Sequence, residues 1–326
     1  MRSQQCHRAP GSRSQYGLDL GTFSDGTRVN NHREVAGEYG LEPAVLLSSG
    51  WSVLADAAGS AVGLDAAGNA AGNVRGNNQL TVAYYWPASG GQVQIPLPHG
   101  TQYTTPVASA MAEDGTVVGS VGNGFGRTDC FLWAADALRA RALPIGGGCA
   151  PHSIANRRLF VGTGAVVSGT PQQAFLWDGT DFHWLATLGG TFSDAFGVSK
   201  AGAIAGDAWT PPDSDGNFSI HAVMWADASS PAVDLGTLPG KAWSQAAAIN
   251  SSGVVVGYSS AVGRLQALAF VYSDGVLADL NTLVDNAQGL TLTMPQDIND
   301  KGVIVGIGPD KKNGATHTWM LVPIAH

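Results

Sequence analysis

The sequence has 326 residues and a formal net charge of −8, with 44 glycines and only 13% charged residues. Its 17 Lys and Arg are scattered. It therefore lacks the basic stripe that nucleic-acid-binding proteins use to displace counterions, and we expect no nucleic-acid partner. No run of about 18 apolar residues occurs, so the sequence predicts no membrane-spanning segment. Abundant Gly with Val, Ala and Thr is typical of short strands joined by tight turns.

The N-terminal residues 1–15 are polar and basic and contain no apolar stretch, which is unlike a signal peptide. We expect them to be a disordered tail or a cloning remnant. On this basis we expect a cytoplasmic protein, or a secreted one if a leader has been removed. Residues 16–326 are expected to form a single domain.

The cysteines are three in number, Cys6, Cys130 and Cys149. An odd, low count argues against a disulfide framework. Cys130 occupies a strand position that other repeats fill with a small residue, so it is expected to be a buried thiol that packs as a small hydrophobe.

A nine-residue pattern, apolar-x-x-x-x-x-apolar-x-Gly, recurs along the chain, and successive closing glycines are 35, 47, 43, 44, 51 and 49 residues apart. This spacing predicts one four-stranded blade per repeat. The copies are Val29–Gly37, Leu64–Gly72, Met111–Gly119, Ile154–Gly162, Val198–Gly206, Ile249–Gly257 and Ile298–Gly306.

Each copy of the pattern has the chemistry of a hairpin. Asn, Asp or Ser often follows the first apolar residue, and a Gly that tolerates positive φ usually takes the fifth position. The next three residues are often β-branched and predict a second strand. We expect the closing Gly to permit close approach at a blade edge.

Two further signatures follow in most repeats. Segments such as Ala174–Trp177 (AFLW) predict a third strand whose aromatic end packs in the core, and segments such as Asp234–Leu238 (DLGTL) predict a fourth. The chain opens with an unaccompanied fourth strand, Leu18–Phe23, and its third strand His317–Ile324 has no fourth strand after it. The sequence therefore predicts an all-β, seven-bladed β-propeller in which the N-terminal strand completes the last blade.

The repeat also resembles the HAF repeat of bacterial proteins. The segments that carry the likeness are Ser244–Asn250 (SQAAAIN), Gly253–Ser259 (GVVVGYS), Gln173–Trp177 (QAFLW) and Asp234–Gly240 (DLGTLPG). The resemblance covers residues 16–326 and implies a propeller. Members of that family are typically extracellular and of unknown activity, so the resemblance transfers no catalytic motif.

In a propeller, both faces of each blade pack on neighbours, so binding groups concentrate in the loops of one face and at the channel mouth. Loops joining strand four to strand one, and strand two to strand three, share the face that we call the top. These loops are long and mutually unlike. The side chains expected to shape a ligand pocket there are Trp209, Trp243, Phe125, Met294 and Arg127.

Polar residues near the start of the innermost strands are the candidates for chemistry. His152 is the only His at its repeat position, so it is a candidate general acid or base. The alternative is an ordinary hydrogen-bonded or solvated histidine. Tyr103 is a second acid–base candidate, Asp194 is expected to orient His152, and Gln245 and Gln296 are further ligand contacts.

Motifs for metals, nucleotides and serine hydrolysis are missing from the sequence, so we expect no metal and no cofactor. The predicted function is a monomeric propeller that acts on a small organic ligand in one apolar pocket at the channel mouth. A cofactor-independent cyclase or isomerase of bacterial specialised metabolism fits this description. The alternatives are a carbohydrate- or envelope-binding module and a protein-interaction scaffold.

Overall fold

The computed structural model describes residues 28–76, 80–100, 102–124, 127–165, 167, 169–264, 266–284 and 289–323. They form seven antiparallel sheets in a ring, which confirms the prediction of an all-β, seven-bladed propeller. Within this part of the chain, no helix has the length and apolar character that crossing a membrane requires.

The first four blades have four strands each, in chain order from the channel outwards. Blade 1 contains Arg28–Val29 (β1), Val35–Tyr39 (β2), Glu42–Leu47 (β3) and Gly50–Val53 (β4). Blade 2 contains Gly59–Leu64 (β5), Ala70–Arg75 (β6), Thr81–Trp86 (β7) and Val93–Gln94 (β8). Blade 3 contains Pro106–Met111 (β9), Val117–Gly122 (β10), Thr128–Trp133 (β11) and Arg141–Leu143 (β12). Blade 4 contains Cys149–Asn156 (β13), Leu159–Gly164 (β14), Gln173–Trp177 (β15) and Phe182–Trp184 (β16).

The last three blades follow the same order, with two short 3-10 helices in the loops. Blade 5 contains Ser193–Val198 (β17), Ile204–Trp209 (β18), Ile220–Trp225 (β19) and Val233–Gly236 (β20). Blade 6 contains Trp243–Ile249 (β21), Val255–Ser260 (β22), Leu268–Ser273 (β23) and Val276–Asp279 (β24). Blade 7 contains Met294–Ile298 (β25), Ile304–Pro309 (β26) and Thr316–Leu321 (β27). The 3-10 helices are Val262–Arg264 and Leu280–Thr282.

The ring closes where blade 7 meets blade 1. Strand β1 contacts β25 and β26, and the Val29 N–H donates to Asp297 Oδ2 at 2.9 Å. The predicted closing strand Leu18–Phe23 and the predicted tail 1–15 lie outside the described residues. The contacts of β1 therefore establish that these blades adjoin, while the N-terminal strand stays a prediction.

The hairpins at the bottom of the ring follow the nine-residue pattern as expected. In blade 6, Asn250 Oδ1 accepts from the N–H groups of Ser252 and Val254 at 3.1 and 3.0 Å. Gly253 takes a φ of +77° and donates its N–H to the Asn250 carbonyl. The Asn side chain thus stabilises the turn, and the Gly supplies the left-handed backbone that L side chains disfavour.

The closing Gly of the pattern faces an irregularity in the innermost strand. In blade 6 a β-bulge falls between Ala246 and Ala248, beside Gly257. A Cβ added to Gly257 would lie well within 3.0 Å of the Gln245 carbonyl oxygen, so only Gly fits this close approach. The close approach is therefore to the innermost strand, which forms the inner edge of the blade, at its bulge. The bulged residues of blades 2–7 are Val62, Ser109, His152, Phe196, Ala247 and Gln296.

The hydrophobic core lies between adjacent blades. Between blades 3 and 4, for example, Leu132 and Leu143 pack with Ile154 and Phe175. As predicted, the aromatic ends of the third strands are core residues with 0–4% exposure: Trp86, Trp133, Trp177 and Trp225.

In two blades, a serine of the repeat forms a hydrogen bond to the preceding blade. Ser193 Oγ accepts from the Ala174 N–H at 3.0 Å, and Ser244 Oγ accepts from the Ala222 N–H at 2.8 Å. Both serines are buried. The Ser of the innermost strand and the Ala of the preceding third strand therefore form one recurring inter-blade bond.

The joint between blades 3 and 4 replaces this bond with a disulfide. Cys149 takes the place of the serine and Cys130 that of the alanine, and the two are joined with a Cα–Cα distance of 5.3 Å. The expectation of a buried free thiol at Cys130 is thus wrong. It failed because an odd cysteine count says nothing about a single pair that the ring brings together from neighbouring repeats.

Candidate functional site

The narrow bottom of the central channel is crossed by an ionic cluster. Lys200 Nζ lies 2.6 Å from Glu113 Oε2 and 2.9 Å from Asp300 Oδ2. Asn31 Nδ2 donates to Glu113 Oε1 at 2.5 Å. These four residues come from blades 5, 3, 7 and 1, and all hold the third position of the nine-residue pattern. We call Asn31, Glu113, Lys200 and Asp300 the channel floor.

The charges of the channel floor stabilise one another. Burial disfavours the Lys200 ammonium, but the hydrogen bonds to Glu113 and Asp300 outweigh it and raise the pKa of Lys200. Burial likewise raises the pKa of Asp300, yet the bonds from Lys200 and Ser251 dominate and hold that pKa well below its usual range. Lys200 and Asp300 are thus both charged at neutral pH.

Above the floor, the channel holds a cavity of about 140 Å³. Its lining includes Arg28, Phe196, Gln296 and Asp297. Burial raises the pKa of Asp297, while Arg28 and the N–H groups of Val29 and Ile298 act in the opposite direction. The cavity is therefore small, and its lining mixes charged and polar groups with apolar side chains such as Met111, Ile154 and Phe196.

A chain of hydrogen bonds joins three side chains of blades 4 and 5. Thr163 Oγ1 donates to Asp194 Oδ1 and lies 3.3 Å from His152 Nε2. Because the hydroxyl has one hydrogen and gives it to the carboxylate, it can only accept from His152. The Nε2 atom of His152 therefore carries a proton. We call His152, Thr163 and Asp194 the relay.

The relay histidine is neutral near pH 7. Burial first, and the Arg28 cation second, lower the pKa of His152 to about 4. Its ring also packs on Phe196, with centroids 5.0 Å apart. A neutral ring with Nε2 protonated leaves Nδ1 as an acceptor.

A larger cleft opens at the top of blades 3 and 4, with a volume of about 620 Å³. Its lining combines loop residues at the top of the two blades with residues near the top ends of strands β10, β11, β13 and β14. The side chains are mainly hydroxyls and an amide around one guanidinium, interspersed with glycines. The lining residues are Thr104, Gly122, Gly124, Arg127, Thr128, Gly147, Gly148, Cys149, Ala150, Thr163 and Gln172.

His152 lies between the two cavities. Its Nε2 contacts Thr163, which lines the cleft, and its ring packs on Phe196, which lines the channel. One relay residue, Thr163, therefore lines the cleft, and another, His152, packs on a residue that lines the channel cavity.

Among the predicted catalytic groups, the structure brings His152 and Asp194 together through Thr163 and places Tyr103 elsewhere. The Tyr103 hydroxyl donates to Asp129 Oδ2 at 3.3 Å, and its ring packs on the core between blades 2 and 3. Burial and the Asp129 carboxylate raise the pKa of Tyr103. No contact within the described part of the chain joins Tyr103 to His152.

Of the residues predicted to bind ligand, Arg127 lines the cleft and Gln296 lines the channel cavity. Gln245 accepts a hydrogen bond from the Tyr258 hydroxyl, and Met294 is paired with Ile307 inside blade 7. Phe125 lies outside the described residues.

The two tryptophans predicted at the mouth belong to the tops of blades 5 and 6. Trp209 stacks on Phe218 with centroids 3.9 Å apart and also contacts Phe192. Trp243 begins the innermost strand of blade 6, one residue before Ser244, as Phe192 precedes Ser193. It therefore occupies a repeat position, the one before the serine of the innermost strand. Neither Trp209 nor Trp243 lines the cleft or the channel cavity.

Sequence reasoning missed Thr163, Gln172 and the channel floor. A signal existed for Thr163, because the residue after the closing Gly is polar in several blades, as in Asn73, Asp207 and Tyr258. No such signal distinguishes Lys200, which lies in the turn of its repeat like any polar hairpin residue.

A family model described as a protein of unknown function (DUF3466) matches residues 192–317. No curated protein matches the chain. The match covers blades 5 to 7 and says nothing about what the protein binds.

Solved structures share the fold at low sequence identity. The β-propeller domain of the Trilobed protease from Pyrococcus furiosus has a TM-score of 0.60 at 8% identity, over 94% of this chain and 96% of that one. A prolyl endopeptidase has a TM-score of 0.57 at 12% identity, over 92% of this chain and 46% of that one. A puromycin hydrolase has a TM-score of 0.52 at 14% identity, over 96% of this chain and 55% of that one. The chain spans about half the length of the last two, and these likenesses establish the propeller fold alone.

Proposed function

We propose that the protein binds one small polar organic molecule per chain, in the cleft between the tops of blades 3 and 4. The observation that carries the proposal is the position of Thr163, which lines the cleft and is bonded to both Asp194 and His152. A ligand that reaches the Thr163 hydroxyl therefore also contacts the relay.

The shape and chemistry of the cleft support this proposal. Its volume of about 620 Å³ falls within the roughly 300–1,000 Å³ that is usual for small-molecule sites. The glycines of the lining leave backbone groups accessible beside the hydroxyls of Thr104 and Thr128 and the amide of Gln172. Such a lining favours a polar ligand over the apolar one that the sequence suggested.

A screen by ligand-observed NMR tests the proposal. The library consists of small polar metabolites, including monosaccharides, and the proteins are the wild type, Thr104→Trp and Thr191→Trp. Thr104 is an exposed residue of the cleft, and Thr191 is an exposed residue at the top of blade 5. We expect a hit that binds the wild type and Thr191→Trp but not Thr104→Trp. Equal binding to all three proteins would place the ligand elsewhere and overturn the proposal.

A cofactor-independent cyclase or isomerase is a second candidate, and the relay is the observation that favours it. Proton transfer works best when the pKa of the catalytic group lies near the operating pH. An imidazole with a pKa of about 4 is a weak base at pH 7, so the geometry supports binding better than proton transfer. Incubating a screening hit with wild type and with His152→Gln tests this candidate. A product formed only by wild type would favour the enzyme.

We also propose that the protein works in an oxidising compartment, instead of the cytoplasm. The bridge between Cys130 and Cys149 supports this, since disulfides persist mainly outside the cytosol. Alkylating thiols before cell lysis and mapping peptides without reductant would test it. Alkylated Cys130 and Cys149 would contradict it.

The resemblance to the HAF repeat also stays a proposal. It is supported by the inter-blade bonds of Ser244 and Asn250, the first and last residues of the segment Ser244–Asn250 that carries the likeness.

A further inference from the structure

Resting on the proposed function, the geometry points to a ligand with an anionic group, a carboxylate or a phosphate, which Arg127 binds. The inference concerns the class of ligand and is separable from the existence of the site.

Arg127 is the only charged side chain in the described lining of the cleft. Its Nη1 donates to the Gly146 carbonyl at 2.7 Å, which fixes the side chain at the cleft without neutralising it. No salt bridge of Arg127 occurs among the described residues. A guanidinium has five N–H donors, so further donors remain for a ligand.

The groups around Arg127 also favour an anionic ligand. The chain as a whole carries a net charge of −8, yet no Asp or Glu is found among the described residues that line this cleft. The other lining groups are neutral hydroxyls, an amide and glycine backbone. An anion beside Arg127 meets a cation and hydrogen-bond donors, whereas a cation there would be repelled by Arg127. The carboxylate of the relay, Asp194, lies behind Thr163 and is not among the described lining residues of the cleft.

A neighbouring glycine leaves room for such a group. Gly148 has a φ of +122° and Gly124 a φ of +74°, so both adopt backbone that other residues disfavour. Gly147 packs against Ala165, where an added Cβ would lie within 3.0 Å of the Ala165 carbonyl carbon and Cβ. Of these three positions, only Gly148 would give an added Cβ free space, with Thr128 Oγ1 at 3.9 Å as its nearest neighbour, so Gly148 is the one that keeps the wall beside Arg127 open.

Matched ligand pairs test the inference by isothermal titration. The pairs are small carboxylic acids with their primary amides, and phosphate monoesters with their parent alcohols. The proteins are wild type, Arg127→Gln, Arg127→Lys, Arg141→Gln and the cleft-blocking variant Thr104→Trp. Arg141 lies on strand β12 outside the cleft and serves as the matched control. Arg127 and Arg141 are both exposed, so the variants are expected to fold, and thermal unfolding verifies this.

We expect wild type and Arg141→Gln to bind at least one anionic member at least about tenfold more tightly than its neutral partner. Arg127→Gln should lose this preference, and Arg127→Lys should retain part of it because the charge remains while the planar fork is lost. The acid–amide and ester–alcohol pairs show which anionic group is recognised.

Two results would overturn the inference, and they are distinguishable. If neutral members bind as tightly as anionic ones and Thr104→Trp removes both, the cleft is the site but Arg127 does not select an anion. If no member binds wild type, or if Thr104→Trp leaves binding intact, the proposed function falls together with the inference.

Discussion

Asn299 of blade 7 donates its side-chain amide to the main-chain carbonyl of Asn30 in blade 1, at 2.7 Å. Asn250 donates in the same way to Asn299 O, and Asn30 donates to Asp65 O. The same type of hydrogen bond therefore occurs at three successive joints: between blades 6 and 7, between blades 7 and 1, and between blades 1 and 2. Blade 2 ends the series because the carboxylate of Asp65 caps its own turn but has no N–H to donate.

Replacing Asn299 should weaken the ring where it closes. Asn299→Ala removes the bond to Asn30 and the two turn bonds from Lys301 and Val303, at a cost of about 2–3 kcal/mol in the free energy of unfolding. Asn299→Ser should cost less, because Ser199 makes one such turn bond in blade 5. Denaturant unfolding measures both variants, and equal stability of wild type and Asn299→Ala would contradict this account.

The closing glycines should tolerate substitution worse than the turn glycines. In Gly257→Ala the Cβ meets the backbone of the bulged strand, which we expect to cost about 3 kcal/mol. In Gly253→Ala the space is open and only the positive φ is strained, at a cost of about 1–2 kcal/mol. Thermal unfolding of the two variants measures the difference. A greater loss in Gly253→Ala would argue against close approach at the bulge.

The disulfide should stabilise the joint between blades 3 and 4. Its ends are 19 residues apart, so removing it should cost about 3 kcal/mol. The double variant Cys130→Ala with Cys149→Ser recreates the Ala–Ser pair of the next joints. It should be more stable than Cys130→Ala with Cys149→Ala, because only the former can form the inter-blade hydrogen bond. Unfolding of oxidised, reduced and variant proteins tests this order, and identical curves for oxidised and reduced wild type would contradict it.

His152 should make stability depend on pH. Its pKa in the folded protein, about 4, lies below the ordinary value of about 6.5, so the unfolded chain binds the proton more readily. Stability is therefore fully present above pH 6.5 and falls as the pH drops towards 4, by up to about 3 kcal/mol from this group.

His152→Gln supplies the comparison for that pH dependence, because the amide can still donate to Thr163 without titrating. The difference in unfolding free energy between wild type and this variant, followed from pH 7 to pH 4, isolates the contribution of His152. A difference that does not change with pH would show that the histidine is not held neutral by its surroundings.

The fold could be predicted because every repeat contains local sequence signals for its own turns and strands, such as the Asn250–Gly253 turn and the closing Gly257. The site could be predicted only in part. His152 and Arg127 stand out within their own repeats, but Thr163 acquires its role from Asp194 in the next blade. Lys200 likewise meets Glu113 and Asp300 only when the ring closes. Contacts between distant repeats depend on side-chain geometry across the channel, which periodicity does not encode.

The most direct test of the central claim is methyl NMR of the protein labelled at threonine, titrated with a ligand found in the screen. If the ligand occupies the cleft between blades 3 and 4, the methyl resonances of Thr104, Thr128 and Thr163 should shift together and saturate at one ligand per chain. Those of Thr210 and Thr316, at the tops of blades 5 and 7, should stay in place. Shifts confined to Thr210 or Thr316, with the cleft threonines unmoved, would contradict the assignment of the site.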